Sequence, residues 1–473
     1  MGISFAGVAG RIGPEPLRRR LVAFGGALDG IVAGRDDRAV SQRVALVAFV
    51  TRVVSAIIAL GSQALMARWM GEHEYGILVV VWVAAIIVGG LACLGFQISV
   101  VRFIPEYLER KQTGLLRGII VGARVYGFTV ATVLALVGAA GLYFFPGVVS
   151  NEHVMPFYLA AICLPMLAVG EIQDGIARAF NWAKIALWPT YIYRPLLILF
   201  FMWLAIRLGS AADAVTAMYA SIAATWLMTA FQGWQLRRRL KTRIEPLKRV
   251  YTLLPWVAVS LPIFLVEGFF NLLTNVDILI VGALMVPEDA AIYFATVKTL
   301  ALVHFVYFAV RAGAAARFSH YYVAGDRSRL ESFLRDTLHW TFWPSLAVSG
   351  LLLLFGHFLL SLFGASFTSG YPLLFIFILG LLARASVGPA ESLLTMAGQQ
   401  RITAALYFGV FFVNVALNFL LIPLIGLKGA AIATAVSLTL EAIALVIVVR
   451  IRLGINSWIG FNLLPAHRAA EAR

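Results

Sequence analysis

The chain has 473 residues, of which 61% are hydrophobic and only 13% are charged, with a net charge of +15. A soluble globular protein carries roughly 25% charged residues, so these charges are too few to cover a soluble surface of this size. The high apolar content excludes intrinsic disorder. The only two cysteines, Cys93 and Cys163, lie in apolar stretches and exclude a disulfide framework. The composition therefore indicates an integral membrane protein with many spans.

Twelve apolar stretches are long enough to cross the hydrocarbon core as helices, which takes about 20 residues each. They are continuous rather than alternating, so they do not fit the strands of a membrane barrel. The connectors are short, and no soluble domain is inserted between them. The predicted spans cover 43–67, 76–100, 118–144, 155–177, 184–206, 213–236, 252–285, 291–316, 336–363, 371–395, 402–424 and 428–449.

The Lys and Arg side chains divide unevenly between the two sides of this arrangement. Of the 38, 29 fall on the side that carries both termini, and three fall on the other: Arg68, Arg207 and Lys428. Positive loops stay in the cytoplasm, so we predict a multi-pass protein of the cytoplasmic (inner) membrane with both termini cytoplasmic. Because the positive charge lies in short connectors, nucleic acid is not an expected partner.

The chain also repeats itself after 215 residues. The shift superimposes Met70 on Met285, Glu74 on Asp289, and Arg102-Phe103 on Arg317-Phe318. Six spans per half is an even number, so the halves share one orientation and are related by an axis along the membrane normal. We predict an all-α membrane protein in which twelve transmembrane helices form two six-helix lobes, related by a parallel pseudo-two-fold repeat, around a central cavity.

The domain boundaries follow from the same pattern. They are a cytoplasmic N-terminal arm at 1–42, an N-lobe at 43–236, a basic cytoplasmic linker at 237–251, a C-lobe at 252–454 and a cytoplasmic tail at 455–473. The arm is expected to lie on anionic lipid.

Several charged side chains fall inside the spans, where an ionised group costs at least ~2.5–3.5 kcal/mol on insertion scales. Such a group is usually retained because it faces water, a partner charge or a substrate. We expect Asp174 and Arg178 to form a local ion pair, since they are four residues apart on one helix. The set comprises Arg52, Arg124, Glu171, Asp174, Arg194, Glu267, Asp277, Lys298, His304, Arg311, Arg384, Glu391 and Glu441.

Helical spacing places several of these groups on shared faces. Arg52 and Gln63 belong to a polar stripe on the first span, and Glu267, Asn271 and Asn275 form another on the seventh. The repeat superimposes Arg52 on Glu267, so the two stripes are equivalent. Lining of a cavity and internal salt bridges both remain open readings for the buried cations.

Catalytic signatures are absent from the sequence, which contains no Walker A, GxSxG or HExxH motif. We therefore expect no enzyme activity, no cofactor and no metal site. Without an ATPase module, energy for transport has to come from an ion gradient, from the substrate gradient or from a partner.

Four segments carry a resemblance to a known family. They are 67–76 (ARWMGEHEYG), 94–106 (LGFQISVVRFIPE), 277–294 with Asp277 and the PEDAAIYF hairpin, and 396–436 with its Gly429-Ala430-Ala431 turn. Together they resemble the O-antigen and exopolysaccharide translocase branch of the MOP (multidrug/oligosaccharidyl-lipid/polysaccharide) superfamily. The resemblance covers about 43–450, and the family's two six-helix lobes agree with the twelve spans predicted here.

The resemblance implies translocation of an undecaprenyl-diphosphate-linked oligosaccharide repeat unit across the membrane by alternating access, for lipopolysaccharide or exopolysaccharide biosynthesis. The implied partners are this polyprenyl-diphosphate-linked oligosaccharide, membrane lipid, a coupling H⁺ or Na⁺, and a polysaccharide polymerase complex.

Placement of the polar groups then suggests roles for them. The diphosphate is expected to meet cations, since a guanidinium offers phosphate two-point contact: Arg52, Arg194, Lys298, Arg311 and Arg384. Polar and aromatic groups are assigned to the diphosphate and sugar: Gln63, Tyr191, Asn271, Asn275 and Tyr307. Acids are assigned to the coupling ion: Glu267, Asp277 and Glu391.

Two other functions fit the composition. One is a cation-coupled drug or solute antiporter of the same superfamily, because Lys and Arg inside the spans nearly balance Asp and Glu. The other is a non-transporting membrane scaffold of a glycan-assembly complex, which the many charges inside the spans argue against.

Overall fold

A computed structural model describes the backbone of residues 37–462 and the side chains of 54–311, 313–315 and 317–460. Most of the predicted N-terminal arm, the side chain of Arg52 and the end of the tail lie outside the described residues. The chain divides into two compact units, 1–59 and 60–473. In the first unit the described part is the beginning of one helix, and the contacts given below lie within the second.

The described chain is built from helices of very different lengths. In chain order they are α1 Asp37–Ala92, α2 Phe96–Glu109, α3 Thr113–Phe144, α4 Asn151–Ala179, α5 Ala183–Trp188, α6 Arg194–Arg207, α7 Ala214–Arg243, α8 Leu253–Leu284, α9 Pro287–Val323, α10 Arg327–Ser361, α11 Tyr371–Ala385, α12 Ala390–Met396, α13 Gln400–Ile425, α14 Leu427–Leu453 and α15 Ile459–Asn462.

Eleven continuous runs in the described chain are long and apolar enough to cross a membrane, and the first of them, Val54–Glu109, covers the second predicted span and the later part of the first. Those two spans separate at Gly71, where φ is 77° and ψ is 170°, a backbone conformation that favours glycine. The equivalent break lies 215 residues later, where α8 ends at Leu284 and α9 begins at Pro287. The predicted twelve helices in two lobes are confirmed, and both lobes turn at equivalent positions.

The helices of each half pack mainly against one another. In the N-lobe α3 packs on α4 and α4 on α7, and in the C-lobe α8 packs on α13 and α11 on α14. Between the lobes α2 contacts α8, where the Ser260 hydroxyl donates to Ser99 Oγ at 2.7 Å. The Trp256 indole N–H donates to the Tyr107 hydroxyl at 2.8 Å. We call the side with the Lys- and Arg-rich connectors the basic face, and the other side the opposite face.

Two predicted spans are interrupted next to charged residues. The span 184–206 contains a π turn at Pro189–Tyr193, immediately before Arg194. The span 371–395 is broken between α11 and α12, where Gly388 has φ +54° and Pro389 lacks an N–H donor. Interruptions of this kind free backbone groups to serve as ligands inside a membrane.

The basic linker is partly helical, because α7 continues through Arg243. Leu, Arg and Lys are good helix formers, and Pro246 then prevents further helix. The non-helical connector is held against α3, since the Val250 N–H donates to the Gly114 carbonyl at 3.0 Å.

Candidate functional site: a charged network and a polar cavity in the C-lobe

The Arg384 guanidinium, on α11, is at the centre of a buried charged network. Its Nε donates to Glu441 Oε1 at 2.7 Å, and its Nη2 donates to Glu391 Oε2 at 2.6 Å. Nη1 donates to the Gly388 carbonyl at 2.9 Å, within the break between α11 and α12. The Tyr307 hydroxyl accepts from Nη2 at 3.2 Å and donates to Glu391 Oε1. Four groups from three parts of the C-lobe thus converge on one cation.

Arg311 extends this network along α9, one turn after Tyr307. Its Nε lies 3.6 Å from Glu391 Oε1, and its guanidinium lies 5.7 Å from the Phe270 ring centroid. Its side chain is about one-third exposed, whereas that of Glu391 is 3% exposed. Glu267 on α8 is close enough to act electrostatically on Arg311. The cations predicted to meet a diphosphate are therefore, at these two positions, engaged by carboxylates.

Beside the network the C-lobe encloses a cavity of about 240 Å³. Helices α8, α9, α10, α11 and α14 contribute its walls, which combine aromatic and aliphatic surface with both signs of charge. The polar and ionisable groups that line it are Thr274, Asn275, Asp277, Lys298, His304, Tyr307, Ser345, Arg384, Thr434 and Glu441. Most of the charged groups predicted from the C-lobe sequence thus line this one cavity.

Asp277 and Lys298 face this cavity without an ion pair between them among the described contacts. The Asp277 carboxylate accepts from the Tyr293 hydroxyl at 2.7 Å, from the Ile278 N–H at 2.9 Å and from Thr434 Oγ1 at 3.4 Å. Lys298 Nζ lies 4.8 Å from the Phe294 ring centroid. A buried carboxylate surrounded by hydroxyl groups has the chemistry to take up a proton or a sodium ion. Among the described residues, no cluster of three His, Cys, Asp or Glu side chains is arranged to hold a metal.

The remaining predicted residues lie outside this network. Arg194 places its guanidinium 5.8 Å from the Trp82 ring centroid. Gln63 accepts a hydrogen bond from the Tyr75 hydroxyl at 2.8 Å. Tyr191 is 53% exposed. Asn275 Nδ2 donates to Asn271 Oδ1 at 3.1 Å and so holds the two predicted sugar-facing amides together.

The predicted ion pair between Asp174 and Arg178 is wrong. The Asp174 carboxylate instead accepts from Gln232 Nε2 at 2.5 Å and from the Thr190 hydroxyl at 2.9 Å. Arg178 donates to the main-chain carbonyls of Asp174 and Gln97. Gln232 on α7 reaches the Asp174 carboxylate because α4 and α7 pack together. Spacing within a single helix does not reveal a contact of this kind.

A further charged cluster, at the opposite face, was missed by sequence reasoning. His73 Nδ1 lies 2.8 Å from Glu288 Oε1, and its Nε2 lies 3.2 Å from Glu152 Oε2. His73 and Glu288 are 215 residues apart, so equivalent positions of the two lobes contact each other. Positions related by a two-fold axis meet only near that axis. The repeat therefore carried a signal for this contact, which closes the lobes against each other at the opposite face.

Two family models match this chain. The model of a family described as polysaccharide biosynthesis protein matches residues 42–316, more than half of the chain. The chain belongs to this polysaccharide biosynthesis protein family. Residues 262–420 also match the family model described as MatE, and both matches agree with membership of the MOP superfamily. A search of curated proteins finds no match.

Solved structures of MOP-superfamily transporters share the fold of this chain. An inward-facing multidrug resistance MATE family transporter aligns with a TM-score of 0.72 at 13% identity, over 86% of this chain and 98% of that chain. The lipid II flippase MurJ, in an inward closed conformation, aligns with a TM-score of 0.69 at 15% identity, over 86% of this chain and 87% of that chain. A MOP superfamily transporter from Pyrococcus furiosus, described as having a binding pocket of reverse polarity, aligns with a TM-score of 0.59 at 13% identity, over 90% of this chain and 97% of that chain. Together with the two family matches and the apolar helices, this shared fold identifies a multi-pass membrane transporter of the MOP superfamily.

The His73 contact predicts that closure of the opposite face depends on pH. His73 lies in the hairpin between the first two spans, where its hydrogen bond to the Glu288 carboxylate and the nearby Glu152 charge raise its pKa. A raised pKa in the contact state means that the contact is favoured at low pH, and that this contribution is lost as pH rises through the raised value. We expect spin labels at Glu72→Cys and Val286→Cys to move apart as pH rises over about pH 5 to 8.

Two substitutions control this measurement. His73→Ala is expected to abolish the pH response of the label distance. His153→Gln is expected to keep it, because the His153 ring lies 2.7 Å from the Ser150 hydroxyl and takes no part in the contact between His73 and Glu288. A distance distribution that does not change with pH in the parent, or one that contracts as pH rises, contradicts the assignment.

Gly76 allows a close approach of the two lobes at this face. A Cβ at Gly76 would lie 1.8 Å from the Pro287 carbonyl oxygen, which is main chain and cannot rotate away. We expect Gly76→Ala to separate α1 from the beginning of α9 and to destabilise the closed form by about 1–3 kcal/mol. The same label distance measures this. The matched control is Gly138→Ala on α3, where a Cβ meets nothing within 4 Å; equal behaviour of the two variants refutes the prediction.

Proposed function

We propose that this transporter moves an undecaprenyl-diphosphate-linked oligosaccharide repeat unit across the cytoplasmic membrane by alternating access, for the synthesis of cell-surface polysaccharide. The basic face lies in the cytoplasm, where the unit is loaded. The observation that carries the proposal is the match of residues 42–316 to the polysaccharide biosynthesis protein family. The likeness to a lipid II flippase supports it at the level of the fold.

Charge placement supports an anionic substrate at two positions above all. Arg194 and Lys298 have aromatic neighbours but make no salt bridge among the described side chains. Arg384 and Arg311, by contrast, have carboxylate partners already. A cation without a fixed partner keeps its charge for a phosphate, so we assign first contact with the diphosphate to Arg194 and Lys298. Arg52, whose side chain lies outside the described residues, stays a candidate for the same role. Arg384 and Arg311 position Glu391 and Tyr307, and take part through them.

The acids are assigned to energy coupling. Asp277 combines deep burial, three hydrogen-bond donors and access to the cavity. Protonation or sodium binding at Asp277 changes the net charge of the cavity that also holds Lys298, and this change links the ion to the anionic substrate. Glu391 and Glu267 contribute through Arg311 and Arg384. Association with a polysaccharide polymerase belongs to the same proposal.

Deletion of the gene tests the proposal in cells. We expect surface polysaccharide to disappear and lipid-linked repeat units to accumulate in the cytoplasmic leaflet. Expression of the parent chain is expected to restore the polysaccharide and to remove the accumulation. Complementation by Lys298→Gln is expected to fail at normal protein level. The matched control is Lys184→Gln, an exposed lysine that also lies over an aromatic ring, with Nζ 5.2 Å from the Trp188 ring centroid. Normal polymer without accumulation in the deletion strain refutes the proposal.

The second candidate is cation-coupled export of drugs or solutes. It is favoured by the MatE match over residues 262–420 and by the mixed charge of the C-lobe cavity. A deletion strain that retains its polysaccharide but becomes sensitive to cationic drugs would establish this function instead.

A further inference from the structure

A second cavity lies at the basic face of the N-lobe, remote from the C-lobe network. Its volume is about 910 Å³, and α3, α7 and the connector that follows α7 form its walls. We call it the basic pocket. All of its charged lining residues are cations: Arg117, Arg124, Arg237, Lys241 and Arg249.

The charge of the basic pocket is not neutralised by neighbouring acids. Among the described salt bridges, none involves any of its five cations. The adjacent Glu245 is exposed and does not line the pocket. Arg237 and Arg249 are close enough to Arg124 for their charges to repel it. Cations held together without counter-charges create a strong local potential for an anion.

The wall formed by the connector is fixed in place by its contacts with α3. Arg117 donates to the Leu247 carbonyl, and the Val250 N–H donates to the Gly114 carbonyl at 3.0 Å. A Cβ at Gly118 would lie 1.8 Å from the Val250 carbonyl oxygen, so glycine is required for the connector to approach this closely. The pocket is therefore a built feature of the lobe rather than a gap beside a loose segment.

The basic pocket continues into an apolar groove along α3. Val121 and Arg124 line both, and the groove, of about 290 Å³, is completed by Val125, Phe128 and Val169, with Gln173 as a polar member. Val125 is 59% exposed and Phe128 is 39% exposed. A charged pocket followed by an exposed apolar groove matches a molecule with an anionic head and a hydrocarbon chain.

We propose that the basic pocket binds the head group of a lipid that carries two phosphates, with its chain lying along the groove. Arginine contacts phosphate oxygens at two points, and basic pockets between helices at the cytoplasmic side hold anionic lipid head groups. Two sources share this chemistry: the polyprenyl diphosphate of the substrate, and a diphosphatidyl membrane lipid such as cardiolipin. The inner-leaflet position of the site rests on the proposed function, whereas the binding itself does not.

Native mass spectrometry of the purified full chain in detergent tests the site. The probes are undecaprenyl diphosphate, cardiolipin and, as a zwitterionic reference, phosphatidylcholine. We expect the chain to retain at least one of the first two. The triple variant Arg237→Gln, Lys241→Gln, Arg249→Gln is expected to weaken that retention at least about tenfold, because each cation near a membrane surface contributes to anionic lipid binding.

The matched control removes the same charge from the same helix and connector outside the pocket, as Arg239→Gln, Arg243→Gln, Lys248→Gln. It is expected to change retention less than about twofold. Equal losses in the two triple variants overturn the proposal, because the binding is then general surface electrostatics, and absence of retention of both lipids also overturns it. Retention of undecaprenyl diphosphate identifies a substrate-loading site, and retention of cardiolipin alone identifies a site for a resident lipid.

A variant without any change of charge provides an independent test. Gly118→Val displaces the connector and opens the wall, so it is expected to lower lipid retention while the five cations remain. Gly138→Val, on the same helix with open space around it, is expected to have no such effect. Because retention is measured in detergent, failure of these experiments is distinct from failure of transport.

Discussion

Arg384→Met is expected to lower the free energy of unfolding by about 3–5 kcal/mol, because it leaves two buried carboxylates without their cation. Glu391 and Glu441 are 2% and 3% exposed, and each contacts the Arg384 guanidinium within 2.7 Å. The break between α11 and α12 also loses the donor to the Gly388 carbonyl. Thermal unfolding of the purified protein in detergent measures the change.

The matched control is an ion pair at the surface. Arg329 lies 3.1 Å from Asp326 with a side chain that is 74% exposed, so Arg329→Met is expected to have little effect. A compensated variant, Arg384→Met with Glu391→Gln and Glu441→Gln, is expected to recover much of the stability, since it buries no unpaired charge. If Arg384→Met unfolds at the same temperature as the parent, the network does not hold the C-lobe together.

Asp277→Asn is expected to uncouple transport while leaving the fold intact. The amide oxygen retains an acceptor for Tyr293 and the Ile278 N–H, but the group no longer exchanges a proton or attracts a cation. Hydrogen bonds to a charged group contribute about 1.5–3 kcal/mol each, so the gradient-driven rate is expected to fall tenfold or more. Transport in proteoliposomes, driven in turn by a pH gradient and by a sodium gradient, measures this and identifies the ion.

Asp289→Asn is the control for this prediction. Asp289 is an acid in the first turn of α9, close to the hairpin at the opposite face and outside the C-lobe cavity. Its replacement is expected to preserve the response to the gradient. An unchanged gradient response in Asp277→Asn would remove Asp277 from the coupling assignment.

The arrangement of spans could be predicted because it depends on local properties of the chain. Hydrophobic length defines each helix, and the 215-residue repeat reproduces the break at Gly71 in the break before Pro287. The same repeat relates His73 to Glu288, so that contact was within reach of the sequence. Pro189, Pro389 and Gly388 indicate the interruptions at Pro189–Tyr193 and at Gly388. The predicted spans nevertheless run through both, because hydropathy is averaged over a window longer than the interruption.

The partners of the charged residues could not be predicted in the same way. Arg384 and Glu441 are 57 residues apart and meet because α11 packs on α14, a tertiary contact that no periodicity encodes. Asp174 accepts from Gln232 rather than pairing with Arg178 for the same reason, because α4 packs on α7. Arg117 and Arg124 are two turns apart on α3, which indicates a shared face, but only the folded connector completes the basic pocket around them.

The transport of a lipid-linked oligosaccharide is tested most directly by reconstitution. The purified chain is placed in liposomes that contain a fluorescently labelled undecaprenyl-diphosphate oligosaccharide, and a membrane-impermeant reductant is added outside. We predict that the reductant quenches label beyond the share initially present in the outer leaflet, and that Lys298→Gln abolishes this additional quenching. Quenching that stops at the outer-leaflet share, as in protein-free liposomes, would contradict the proposed function.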